Sequence, residues 1–178
     1  MNYIVLLRGI NVGGHRKIKM EDLRDLLTNS GFRDVKTYIQ SGNVILNTSE
    51  ISPSNIQSKI KTLLLDHFNF EVPVIAKTRF EFQAIFDNCP FSEEKKENSY
   101  FVLLSEIPNV AAVKELSKIK YENEEFQIIN NCVYFYSHIG YGNSKFNMNM
   151  IEKKLNVYAT SRNFKTMVKL LSLCESND

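Results

Sequence analysis

Tryptophan is absent from this chain of 178 residues, and cysteine and proline are scarce, at three and four. The three cysteines, Cys89, Cys132 and Cys174, are far apart and odd in number. That is not the disulfide framework of a secreted domain, and it points to a reducing cytosol. No C-x-x-C occurs, and His15, His67 and His138 have no partners at metal-ligand spacing, so neither a metal nor another cofactor is expected. Long apolar runs are missing too. The opening Tyr3-Ile4-Val5-Leu6-Leu7 stops at Arg8, without the basic flank of a signal peptide, and no later stretch approaches the ~18 apolar residues of a membrane span. A cytoplasmic protein with no membrane partner is therefore expected. Neither G-x-S-x-G, G-x-x-x-x-G-K-[ST] nor G-x-G-x-x-G is present. Glu21-Asp22 and Glu93-Glu94 read as a helix start and as solvated charge, not as an acid–base pair.

What is present is an ordinary globular composition, 43% hydrophobic and 24% charged, rich in Phe and Tyr. Folding at this length buries roughly 70% of the unfolded chain's surface, enough to need no covalent staple. Tyr3 to Ile10 reads as a buried strand followed by a glycine loop, Asn11-Val12-Gly13-Gly14-His15-Arg16-Lys17. Met20, Leu23, Leu26 and Leu27 have helical spacing, with Gly31 where a C-cap belongs. Val35, Thr37 and Ile39 alternate as in a strand, Ser41-Gly42-Asn43 turns, and Val44-Ile45-Leu46 returns. Ser52 caps a helix with Pro53 at its first position and Ile56, Ile60, Leu63 and Leu64 along its buried stripe. Glu71 to Lys77 is the last strand of this series.

The second half repeats the order. Helix 80–88 leads to an acidic linker, 92–98; Tyr100 to Leu104 is a strand and Val110, Val113 and Leu116 lie on a helix. Phe126–Ile129 and Val133–Tyr136 flank an Asn130-Asn131 turn. A loop through Lys145 precedes a helix with Met150, Ile151 and Leu155. A short strand near Val157–Ala159 comes next, and Thr160 or Ser161 caps a final helix. The expectation is an α+β protein of two ferredoxin-like βαββαβ halves, 1–91 and 99–178, each an antiparallel sheet with helices on one face plus trailing helices. The halves form either two domains or one compact unit.

Leu6-Leu7-Arg8-Gly9-Ile10-Asn11-Val12-Gly13-Gly14, with Ile18, Met20 and Leu23-Arg24, and Thr37-Tyr38-Ile39-Gln40-Ser41-Gly42-Asn43-Val44, closely resemble the bacterial family catalogued as domain of unknown function 1697. Thr160-Ser161-Arg162-Asn163, with Thr166 and Lys169-Leu170, resembles its closing signature. The resemblance spans essentially the whole chain. It implies a compact cytosolic protein with ferredoxin-like elements, and it supplies no activity or catalytic residue.

Chain direction places the loop after the first strand and the turn after the second on one edge of the sheet. Arg8, Arg16, Lys17 and Lys19 lie there with no acid among them. Gly13 and Gly14 can present backbone donors to an anion, Asn11 and His15 add hydrogen bonds, and Gln40, Ser41 and Asn43 can orient a ligand. The expectation is a small phosphate- or carboxylate-bearing ligand, a nucleotide among the candidates. Arg162 could point outward and join Lys145 on a phosphate or carboxylate. Each element also has a plain reading: a strand-to-helix connection, good turn residues, a helix cap. Two alternatives stand beside the lead. One is an RNA-binding module stacking bases on Tyr134 and Tyr136, disfavoured by a net charge of only +2. The other is an enzyme using His15 as acid or base.

Overall fold

In the computed structural model, which describes residues 1–175, β1 (Asn2–Leu7), α1 (Met20–Asn29), β2 (Arg33–Tyr38), β3 (Asn43–Asn47), α2 (Pro53–Phe68) and β4 (Val74–Thr78) form the first half. Helices α3 (Arg79–Asp87) and α4 (Glu93–Glu97) follow. The second half is β5 (Tyr100–Leu104), α5 (Val110–Ser117), β6 (Glu124–Ile129), β7 (Cys132–Ser137), α6 (Met148–Leu155) and β8 (Ala159–Asn163), with α7 (Phe164–Glu175) trailing. The sheets run β2-β3-β1-β4 and β6-β7-β5-β8, antiparallel throughout. Both orders are those of a ferredoxin-like βαββαβ unit. The chain divides into two compact units, Met1–Ala84 with the end of α7 from Lys169, and Ile85–Val168.

Period-two alternation decides which side chains meet which helices. Tyr3, Val5 and Leu7 of β1 pack with Leu23 and Leu27 of α1 and Ile56, Ile60 and Leu64 of α2. In the other unit Val102, Leu104, Val133 and Phe135 pack with Leu116 of α5 and Ile151 and Leu155 of α6. Each such side chain contributes about 1.5–3 kcal/mol on full burial. The alternate residues are buried as well: Ile4, Leu6, Ile45 and Ile75 are at most 2% exposed, and Phe101, Leu103, Cys132 and Tyr134 at most 1%. In the second unit, residues around the end of α3 meet this second face. Phe86 stacks 5.7 Å from Phe101, and the Tyr134 hydroxyl donates to the Ile85 carbonyl at 2.7 Å.

The two halves repeat one another bond for bond at one edge. Leu7 N–H donates to Gly42 O at 2.7 Å and Leu104 N–H to Asn131 O at 2.9 Å; Arg8 N–H donates to Pro73 O at 3.0 Å and Ser105 N–H to Tyr158 O at 2.8 Å. The registers agree: Leu6 faces Asn43 and Leu7 faces Val74, as Leu103 faces Cys132 and Leu104 faces Ala159. Position by position, the sheets are built on one template.

Several local expectations shift. The 92–98 segment contains α4 rather than open linker. β4 begins after Pro73, whose missing N–H cannot join the ladder. Thr160 and Ser161 are strand residues paired with Leu103 and Val102, so neither caps α7; Asn163 does, accepting from Thr166 N–H at 2.9 Å. The polar sequence hides this strand because pairing with β5, not side-chain pattern, makes it.

Gly42 is the tightest point of the first sheet's edge. Its φ is +79°, and a Cβ there would stand 2.7 Å from Leu7 Cβ and 3.0 Å from Ile10 Cδ1. Gly42→Ala should therefore cost roughly 2–5 kcal/mol, combining left-handed strain with overpacking, read as a lower urea midpoint. Gly14→Ala, in open space at φ +79°, should cost only the strain, about 1–2 kcal/mol.

Candidate functional site

The loop after β1 and the turn after β2 do meet, and Asn11 joins them. Its Nδ2 donates to the carbonyls of Ile18 and Gln40, both at 2.9 Å, and its Oδ1 accepts from Ile18 N–H at 2.9 Å. Its own N–H reaches Arg16 O at 3.2 Å. One side chain thus closes the loop on itself and pins the turn to it. Asn is suited to this role because it tolerates the left-handed backbone it adopts here, φ +55°.

Left-handed conformations crowd this edge. Gly9, Asn11, Gly13, Gly14 and Arg16 in the loop, and Ile39 and Gly42 in the turn, all have positive φ. Ile39 is the exception to expectation. Alternation predicts a strand position for it, yet β2 ends at Tyr38 and Ile39 sits at φ +48° with its side chain 52% exposed. A β-branched residue resists that conformation by about 1–2 kcal/mol, and no burial offsets it.

The ligand candidates divide into two sets. Asn43 is fully buried, with Nδ2 donating to Tyr38 O and Ser41 Oγ at 3.0 Å, so like Asn11 it shapes the turn from inside. Arg8 is half-buried beside the Pro73 carbonyl. The exposed set is His15, Arg16, Lys17, Gln40 and Ser41. The side chains of His15, Arg16, Lys17 and Gln40 have no polar partner among the described residues, and neither do the backbone N–H groups of Gly13, Gly14, Arg16 and Lys17. Arg16 folds back over the loop's start, its Nη1 3.4 Å from where a Gly9 Cβ would be. Glu21 and Asp22 occupy the first turn of α1 and already complement its dipole. The loop's own cations and donors are what an anion would meet.

The second unit's candidates differ from expectation. Arg162 does not point outward: it is buried in β8, donating to Thr160 Oγ1 and the Ser161 carbonyl at 2.8 Å, and burial draws its guanidinium down to about pKa 10. Lys145 is exposed, its backbone N–H held by Glu124 at 2.5 Å. Arg162 is thus placed for structure, not for sharing an exposed anion with Lys145. Tyr134 is buried, which holds its hydroxyl protonated far above the usual phenol range. Tyr136 is half-buried, with His138 edge-on at 4.8 Å, Phe91 at 6.3 Å and Lys95 Nζ 5.4 Å above its ring. Burial also pushes the Cys89 thiol up, away from a reactive thiolate. Among the described residues no three His, Cys, Asp or Glu side chains gather as a metal site, and no helix is long and apolar enough to cross a membrane.

A separate hollow of about 510 Å³ lies in the first unit between Phe32, Thr48, Glu50, Ile51, Asn55 and Lys59. Its charges are already engaged. Lys59 Nζ donates to Ser30 O at 2.8 Å and lies 4.7 Å above the Phe32 ring. Glu50 accepts from Ser52 N–H at 2.8 Å and Asn55 Nδ2 at 3.2 Å, which lowers its carboxyl pKa. Two exposed apolar side chains at this edge, Val12 and Ile39, are not among the sequence candidates. Val12 is 65% exposed beside Asn11, and Ile39 is exposed beside Gln40. No sequence signal marks Ile39, since alternation assigns it to a strand.

These features define an α+β protein of two ferredoxin-like halves with one elaborated sheet edge. Residues 1–134 match the family described as "Protein of unknown function (DUF1697)", and the chain belongs to that family. No curated protein matches it. Among solved structures, a conserved bacterial protein, SP0830 from Streptococcus pneumoniae, is similar over 97% of this chain and 98% of its own, with 25% identity and a TM-score of 0.79.

The Asn11 junction makes a direct prediction. Asn11→Ala removes three neutral hydrogen bonds and should cost roughly 2–3 kcal/mol in urea unfolding. Amide exchange should show new opening at Ile18, the one backbone N–H that Asn11 Oδ1 holds. Protection at Ile18 equal to wild type would mean the carboxamide is not what closes the loop.

Proposed function

We propose that this protein binds a small phosphate- or carboxylate-bearing ligand at the edge formed by the 8–17 loop and the 40–43 turn. The comparison between its own halves carries this reading. Both halves make the same backbone bonds at this edge, yet the second connects β5 to α5 through 105–109, five residues without glycine or a positive φ. The first connects β1 to α1 through 8–19, twelve residues with three glycines and four Lys or Arg. The matching hairpin turns are 39–42 and 130–131. The fold needs only the shorter version. The surplus is basic, holds Arg16 in a strained left-handed backbone and is supplied with unpartnered donors, which is the composition an anion site requires.

The alternatives have less support. An RNA-recognition sheet needs rings open to solvent on its central strands, and here residues 3–7, 44–46, 101–104 and 132–135 are all buried, Tyr134 included. His15 is exposed with no group orienting it, where a general base needs a partner to set its tautomer. A cytoplasmic location is part of the same proposal, supported by three free cysteines, two of them buried.

A thermal-shift titration against inorganic phosphate, sugar phosphates, nucleotides and organic acids tests the reading. A ligand at about a hundredfold its Kd adds about 2.7 kcal/mol of stability. The Arg16→Ala/Lys17→Ala double variant should keep the wild-type melting temperature without ligand and lose the shift with it. No response to any of these compounds, or a response that survives the double variant, would sink the assignment.

A further inference from the structure

We infer that the ligand at this edge is a nucleotide, a phosphate carried by a flat heteroaromatic body, and that Ile39 selects for that body. The inference rests on the anion-binding reading above and adds the organic half of the ligand. Asn11 is the reference point. Its hydrogen bond to Gln40 O is 2.9 Å and its N–H reaches Arg16 O at 3.2 Å. Arg16 and Gln40 thus each bring a backbone carbonyl to Asn11, and Val12 and Ile39 are the chain neighbours of Asn11 and Gln40.

Those four side chains supply three different chemistries. Arg16, with Lys17 next to it, is cationic and unpaired among the described residues, in a stretch from Arg8 to Lys19 that contains no acid. Opposite charge at close range favours a phosphate dianion over a single carboxylate. Val12 and Ile39 are apolar and exposed, 65% and 52%, on two loops where polar residues would serve folding better. Gln40 is exposed, and its carboxamide, with donor and acceptor side by side, has no partner among the described residues. Cations for a phosphate, branched walls for a ring face and an amide for a ring edge together match a nucleotide. An alkyl phosphate would leave Gln40 without a role, and a sugar phosphate would leave Val12 and Ile39 without one.

Ile39 carries the discrimination because folding does not explain it. At φ +48° a glycine or asparagine is favoured, and an isoleucine there is strained. Its side chain is mostly in solvent, so the core does not repay the strain. A residue that costs the free protein stability and is not buried by it is accounted for by what it contacts when the site is filled.

The test is calorimetric titration of the wild-type protein and Ile39→Gly with four probes: a purine nucleoside monophosphate, a pentose phosphate, hexyl phosphate and inorganic phosphate. Wild type should prefer the nucleotide over the pentose phosphate by about tenfold or more, equivalent to about 1.4 kcal/mol. Ile39→Gly should melt at or above the wild-type temperature while that preference falls to about one, and Gln40→Ala should lower nucleotide affinity alone. Equal binding of nucleotide and pentose phosphate by wild type overturns this inference and leaves the anion site standing, as does tighter binding of hexyl phosphate. A preference that survives Ile39→Gly overturns the role of Ile39. Failure of all four probes to bind removes the anion site and the inference with it.

Discussion

The Asn11 carboxamide stands where a backbone ladder would normally do the work. Beyond Leu7 the chain leaves the sheet and makes a long excursion before α1, and a loop of that length has no regular pairing to hold it. Asn11 replaces the pairing with three side-chain bonds at 2.9 Å, two to the far end of its own loop and one to the neighbouring turn. The left-handed backbone at Asn11 is what lets the side chain aim inward, and Gly42, packed against Leu7 and Ile10, is what lets the turn come close enough to be reached. The exposed cations and free N–H groups owe their arrangement to these two contacts. They lie on the outside of a loop whose inside is fully engaged.

The duplicated frame gives this edge an internal control. Two sheets with the same order, register and edge hydrogen bonds meet the same geometric requirement, and one meets it with far less chain. Differences between the edges therefore do not come from the needs of a βαββαβ unit. The left-handed residues make the contrast sharp. Five of them lie in the first half's loop, and among the described residues of the second half's matching loop there are none. Conformational energy of this kind persists only where surrounding structure enforces it. Here the enforcement is the Asn11 junction.

Much of the frame was legible in the sequence because it is written in periodicity. Leu23 and Leu27, or Ile56, Ile60 and Leu64, repeat at the helical spacing that buries them, and Ser52 and Pro53 mark the start of α2 as physics requires. The adjacency of the loop and the turn also followed, since it depends only on the direction in which the chain runs. Three features were not legible. Thr160 and Ser161 look like helix caps, and only pairing with β5 makes them part of a strand with Arg162 buried inside it and the cap left to Asn163. Ile39 continues an alternating pattern, and it leaves the strand because the Asn11–Gln40 bond fixes the turn just beyond it. Asn11 reads from sequence as a hydrogen-bonding residue for a ligand, and its carboxamide is bonded to Ile18 and Gln40 instead. Which carbonyls its amide would find is decided by the fold of residues many positions away.

The balance of charge bears on the anion proposed for this edge. A net charge of +2 gives the molecule little long-range pull, and at physiological salt interactions between exposed charges fade beyond about 8 Å. The attraction is therefore local to the 8–19 loop, and Glu21 and Asp22 end it abruptly at the start of α1. A nucleic-acid strand needs a basic track many phosphates long and platforms on which to stack its bases. This edge has a point of positive charge, and the central-strand residues that would have carried the bases are buried. A compact ligand with its charge at one end matches such a surface better than a polymer does.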